Sequence, residues 1–168
     1  VDHEYAEEFS KCAHLVLEKP YVEPKLLKDG RWEVRYYSSA FYHWWKKQTL
    51  KTLGKYIEYN EETMKAFIRG FMDGEASSSP SGISVSNTDL ELLKYLKILL
   101  NRLGIRTGKI KKRIEKGQEV IIKGKRYKAN KPVYALYVNK KDYLRNIGFT
   151  VKKKKQIERR FTSAYRWE

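Results

Sequence analysis

The most informative segment of the chain is Phe67-Ile68-Arg69-Gly70-Phe71-Met72-Asp73-Gly74-Glu75-Ala76. Upstream, Asn60 is a natural helix cap, and Glu61 and Glu62 suit a first turn, where the helix dipole favours negative charge. Met64, Phe67, Ile68, Phe71 and Met72 recur at three- and four-residue spacing, which predicts an amphipathic helix running into the quoted stretch. Gly70 and Gly74 lie inside it, each costing about 1 kcal/mol relative to alanine. Four residues apart, they share a face, and a face without side chains lets a second helix backbone approach closely. Asp73 and Glu75 then sit at the carboxyl end, where the dipole disfavours an acid. Acids kept in such a place point to a bound cation.

Outward from this helix, Ile83 and Val85 alternate with Ser84 and Ser86, the pattern of a half-buried strand. Thr88 and Glu91 form a capping-box pair before Leu92, Leu93, Leu96, Leu99, Leu100 and Leu103, a helical leucine stripe closed by Gly104. Lys109–Lys111 and Val133–Val138 read as strands separated by a basic loop. Asp142–Ile147 predicts a short helix and Lys152–Tyr165 a longer one. The fold class is α+β, a mixed or antiparallel sheet with helices on one face and the other face free.

The first 50 residues carry a faint echo of this unit. Shifted by 87 positions, Tyr5, Ala6, Phe9, Cys12 and Ala13 fall on the leucine stripe. A hairpin around Asp29-Gly30, with arms Tyr21–Leu27 and Trp32–Ser38, and a helix near Phe41–Gln48 follow. The chain therefore divides into an N-terminal segment, residues 1–58, and a main domain, residues 59–168. The echo has no counterpart of the helix and strand at residues 60–87.

Charge narrows the partner. Across 168 residues, 36 Lys and Arg stand against 20 Asp and Glu, a formal net charge of +16. Self-repulsion on that scale destabilises a compact state, so a polyanion is the expected partner. No apolar run reaches the roughly 20 residues needed to span a bilayer. One cysteine excludes a disulfide framework, and three scattered histidines lack zinc-ligand spacing. Together these features predict an intracellular protein, cytoplasmic in a prokaryote or organellar in a eukaryote, that binds nucleic acid.

The quoted stretch resembles the LAGLIDADG motif of homing endonucleases of the archaeal and organellar intron-encoded type. Ser84–Asp89, the leucine helix ending at Leu103-Gly104-Ile105, and Ile147-Gly148-Phe149 before the lysine run are similar to that family too. Ala76 departs from it, standing where the family usually has glycine. The resemblance implies a saddle-shaped sheet and a pair of motif helices packed side by side through Gly70, Gly74, Asp73, Phe67 and Phe71. It implies that Glu75 binds a divalent metal with help from the Ala76 carbonyl, while Asp73 terminates the helix. It also implies an active-site lysine near the start of the last helix, Lys153 or Lys152. Magnesium is the expected ion, with manganese or a non-productive calcium as substitutes.

The function implied is metal-dependent, site-specific cleavage of double-stranded DNA in intron homing; the alternative is an RNA maturase that assists intron splicing. An intein-associated nuclease is disfavoured, since no splicing-domain Cys or terminal His-Asn pattern is present. Residues 105–131 hold 11 basic residues against Glu115 and Glu119. Alternation puts Lys109, Lys111 and Arg113 on one strand face, with Ser84, Ser86 and Tyr137 expected on the same side. Lys123, Lys125, Arg126 and Lys128 join that side from the basic loop. In the N-terminal hairpin Lys25, Lys28, Arg31 and Arg35 are further DNA-binding candidates. One motif and a two-helix site together predict a homodimer through the Asn60–Gly74 helix, the rival being a monomer with a first motif upstream of Val1.

Overall fold

A computed structural model describes residues 3–79, 82–122, 124–151 and 154. In chain order the elements are α1 (His3–Leu17), β1 (Lys25–Leu26), β2 (Trp32–Glu33), α2 (Ser39–Lys46), α3 (Leu50–Ile57) and α4 (Glu61–Glu75). Then come β3 (Ala76–Ser79), β4 (Gly82–Asn87), α5 (Leu90–Arg102), β5 (Lys111–Ile114), β6 (Glu119–Ile122), β7 (Lys125–Lys128), β8 (Val133–Val138) and α6 (Lys140–Asn146). The main sheet is antiparallel, in the order β3-β4-β8-β5, and β1-β2 and β6-β7 are separate two-stranded ribbons. The α+β class is as expected.

The helix that carries the quoted stretch begins as its sequence dictates. The Asn60 side chain accepts from Thr63 N–H, and the Thr63 hydroxyl accepts from Asn60 N–H, a reciprocal cap. Met64, Ile68 and Met72, one turn apart, bury against the sheet, and Asp73 goes under with them. On α5 the leucine stripe is fully buried at Leu93, Leu96, Leu99 and Leu100, each adding about 2 kcal/mol of transfer free energy. Its cap is Asp89, which accepts from Leu92 N–H, so the helix starts one residue after the expected Thr88. Thr88 and Asp89 are both capping types, and Asn87 accepting from Asp89 N–H fixes the choice. Gly104 takes φ +71°, as its place after the helix requires.

The core joins α4 and α5 to Ile83 and Val85 of β4 and Leu136 and Val138 of β8. Leu53 and Ile57 of α3 belong to it as well, so the end of the N-terminal segment packs into the main domain's core. Expectation and structure part at several places, besides β3 and the later start of β5 at Lys111. The N-terminal hairpin pairs over only two residues in each arm. The stretch expected as a basic loop contains the ribbon β6-β7, and α3 was not anticipated. The expected helix over Lys152–Tyr165 lies outside the described residues, apart from Lys154. No helix among the described residues is long and apolar enough to cross a membrane.

Asp142 locks α6 to the loop after α5. Its buried carboxylate accepts from Arg106 Nε at 2.7 Å, from Nη2 at 3.1 Å and from Arg106 N–H at 3.2 Å. These bonds hold the Asp142 carboxyl below the ordinary carboxylate range. A group whose pKa is lowered by folding stabilises above its unfolded value, about 3.9, and loses that contribution as pH falls through the lower folded value. The urea midpoint is therefore expected to drop below about pH 4, and Asp142→Asn should start lower and show a shallower acid limb. Parallel acid limbs for the two proteins would contradict the assignment.

Candidate nucleic-acid interface and catalytic centre

Two acids only two residues apart have opposite fates at the end of α4. Asp73 is buried, and both its oxygens accept from Thr150 N–H at 3.1 Å. Val151 N–H also points to it. Its carboxylate is thus spent tying the chain after α6 to the end of α4. Glu75, the last helical residue, is exposed. Ala76 is buried at the start of β3, its N–H closing the helix on the Met72 carbonyl. Lys154 donates to the carbonyls of Asp73 at 2.6 Å and Met72 at 3.1 Å, a cation on the negative end of the helix dipole. Lys152 and Lys153, the lysines expected in catalysis, lie outside the described residues.

The glycine face is open at one position and approached at the other. Nothing lies within 4 Å of where a Cβ on Gly70 would stand, whereas a Cβ on Gly74 would sit 3.7 Å from the Tyr5 hydroxyl. Between α1 and α4 runs a cavity of about 220 Å³, lined by Tyr5, Phe9, Cys12, Ala66, Gly70 and Asp73 among others. Burial, and then the charges of Asp73 and Glu75, push the Tyr5 phenol up. Tyr5 is a residue that sequence reasoning placed only in a core stripe. Of that stripe Ala6 is buried, but Phe9 and Cys12 are exposed. Phe67 packs edge-on against Tyr95 of α5, with its ring 6.3 Å from that of Phe71. Both rings are partly buried and pack against the core.

The free face of the sheet gathers the second set of candidates. Ser84 pairs with Tyr137, Ser86 with Ala135, and Lys111 with Ala135, so Ser84, Ser86, Tyr137 and Lys111 share one face. A bulge between Lys112 and Ile114 bends β5, and the Arg113 guanidinium lies 5.3 Å over the Tyr137 ring. Lys109 is exposed just ahead of β5. Ser77, opposite Ser84, and Ser79, opposite Gly82, extend this face on β3. Sequence reasoning missed them because serine favours turns over strands.

The basic ribbon departs from the expected single side. Its register puts Lys125 with Val120 and Tyr127, and Arg126 and Lys128 with Glu119 and Ile121. Neighbours on a strand point to opposite faces, so Lys125 cannot share a face with Arg126. Lys123 lies outside the described residues. In the N-terminal ribbon Lys25 is exposed and Lys28 follows it in the turn. Arg31 and Arg35 are neutralised locally, by Asp29 at 2.6 Å and Glu33 at 2.7 Å.

A family model described as a LAGLIDADG-like domain matches residues 62–148. The chain is 33% identical over 144 residues to the uncharacterized protein MJ0398 of Methanocaldococcus jannaschii, covering 81% of this chain and 49% of that protein. It is 29% identical over 115 residues to the uncharacterized protein MJ0314 of the same organism, covering 62% and 44%. The chain thus spans about half the length of these relatives. Among solved structures it is similar to mesophilic variants of the homing endonuclease I-DmoI, at TM-score 0.59 and 20% identity over 88% of this chain and 75% of that one. It is likewise similar to I-DmoI in complex with DNA and manganese, at TM-score 0.56 and 21% identity over 84% and 71%.

Proposed function

This chain belongs to the LAGLIDADG-like domain family, and from that membership we propose that it is a site-specific DNA endonuclease acting with a divalent metal. The observation that carries the reading is the division of labour at the end of α4. Asp73 is consumed by Thr150 N–H, and Glu75 is left exposed at the foot of the glycine face. Hard oxygen donors of this kind suit magnesium, which keeps several waters and takes phosphate oxygens as partners. No group of three or more His, Cys, Asp or Glu side chains gathers among the described residues. Glu75, with the Ala76 carbonyl, would therefore supply only part of a shell, completed by DNA phosphate, water and an acid from a paired helix. When bound, the metal would polarise the scissile phosphate. The structures of I-DmoI with DNA and manganese, and of its variant with target DNA and magnesium, support this choice of partner and ion.

The chain's own residues would do three things. The Ser84, Ser86 and Tyr137 face, with Lys111 and Arg113, would follow a DNA groove and set its register. Glu75 would hold the ion at the strand. Lys154, on the last carbonyls of α4, would fix the helix end from which Glu75 projects. The paired helix would come from a second copy docking at Gly70, where the face is open.

Affinity for duplex DNA is expected to fall steeply with salt. With about six phosphate contacts it should drop about 10³-fold between 50 and 200 mM monovalent salt. Anisotropy titrations give the slope, and native mass spectrometry of the same complexes should count two chains per duplex. A flat salt response would contradict the DNA face, and a single chain on the duplex would contradict the homodimer. An RNA maturase is the competing reading; tight intron RNA binding without DNA cleavage would favour it.

A further inference from the structure

Residues 39–57 hold four lysines, Lys46, Lys47, Lys51 and Lys55, and no acid. The same segment is rich in rings. Four of the eight residues of α2 are Phe, Tyr or Trp, and none of the helix is buried. Phe41, Tyr42, Trp44 and Trp45 keep 38–53% of their surface exposed, and Tyr56 of α3 keeps 50%. They form one cluster rather than scattered contacts. Phe41 lies nearly parallel to Trp45 at 6.2 Å and 17°, Trp44 is 5.5 Å from Phe41, and Tyr56 meets Trp44 at 6.0 Å. Two of the lysines stand over rings of the same patch, Lys46 over Tyr42 at 5.0 Å and Lys55 over Tyr56 at 4.9 Å.

Exposed rings on this scale mark a binding surface rather than a solvated one. The chemistry of its rim selects the partner. Lysines without any acid call for a polyanion, and rings presenting flat faces among cations call for something that stacks. Paired bases already stack on each other, so a duplex leaves such rings idle. Unpaired bases do not. The patch is separate from the sheet face: Leu53 and Ile57 of α3 pack into the core beside α4, on the helical side of the sheet.

We propose that α2 and α3 form a second nucleic-acid surface, which takes single-stranded polynucleotide by stacking bases on the Phe41–Trp44–Trp45–Tyr56 cluster while the lysines hold its phosphates. This surface is independent of the strand-cleaving reading, since neither Glu75 nor the sheet face takes part in it.

Fluorescein-labelled oligothymidine and oligouridine of about 20 nucleotides, titrated by anisotropy, test the proposal on the full chain. Trp45→Ala should weaken binding about tenfold, the loss of one stacking platform. The double variant Lys47→Glu, Lys51→Glu should weaken it further and flatten its salt dependence. Ile98→Ala, an exposed position on α5 outside both surfaces, should leave it unchanged. Circular dichroism verifies that the exposed substitutions keep the fold. Preference for oligouridine would assign RNA, preference for oligothymidine single-stranded DNA, and equal binding either strand. The proposal is overturned if the wild-type chain binds neither oligomer or Trp45→Ala binds as tightly as wild type. Weakening by Ile98→Ala to the same degree would overturn it, as would loss of self-association in Trp45→Ala with oligomer affinity unchanged. That last result would make the patch a contact between copies.

Discussion

Glu75→Gln is expected to lower the rate of DNA strand cleavage by at least about a thousandfold while leaving duplex affinity and thermal stability close to wild type. The substitution keeps the shape of the side chain and removes its charge. A bound metal is worth several kcal/mol of transition-state stabilisation, and each 1.4 kcal/mol is about a factor of ten in rate. Stability should not move, because Glu75 is exposed and buries no charge. Affinity should not move either, because the groups proposed to follow the groove lie on the sheet face. Cleavage by the Gln variant at more than a tenth of the wild-type rate would remove Glu75 from the metal site.

Asp73→Ala should do the reverse, costing roughly 2–4 kcal/mol of stability, read as a lower urea midpoint. Removing the carboxylate strands Thr150 N–H and the buried Val151 N–H, and each buried donor left unsatisfied costs about 1–3 kcal/mol. Asp73→Asn retains one acceptor oxygen and should recover part of the loss. Any fall in activity in the Ala variant should follow the fraction unfolded, and disappear at temperatures where the variant is fully folded. A wild-type midpoint for Asp73→Ala would contradict the structural role. The pair of results separates two acids that lie two residues apart in the motif: Asp73, which ties the fold together, and Glu75, the proposed metal ligand.

The elements read from the sequence are those whose burial follows one period. The leucine stripe of α5 and the Met64–Ile68–Met72 stripe of α4 each face a single core, so spacing alone locates them. Ile83 and Val85 likewise show the period of a strand covered on one side. What escaped has physical reasons. In β6, Val120-Ile121-Ile122 is an apolar run without alternation, and its partner β7 is Lys-Arg-Tyr-Lys; only cross-strand pairing makes them a ribbon. The three serines of β3 have little strand preference and are held by pairing with Ser84, Ile83 and Gly82 of β4. On α3, Leu50, Leu53 and Ile57 give two turns of pattern between lysines, too short to separate from a loop.

At the candidate site, spacing singled out the two glycines and the family resemblance singled out Glu75, but neither showed what surrounds them. Tyr5 reaches Gly74 from 69 residues upstream, and Thr150 reaches Asp73 from 77 residues downstream. Contacts of that range leave no trace in a local pattern. The expected inward stripe of α1 shows the same limit from the other side. Its spacing is helical, yet Phe9 is half exposed, because a helix shows where an apolar face lies and not what covers it. That uncovered face borders the cavity at Gly70.

Sequencing the ends released from a DNA library by the purified chain with magnesium decides whether the foot of α4 cuts DNA. Ends at one defined sequence are expected, absent when magnesium is chelated and absent with Glu75→Gln. Ends produced equally by the Gln variant, or no ends at all from a wild-type chain that binds the library, would contradict cleavage there.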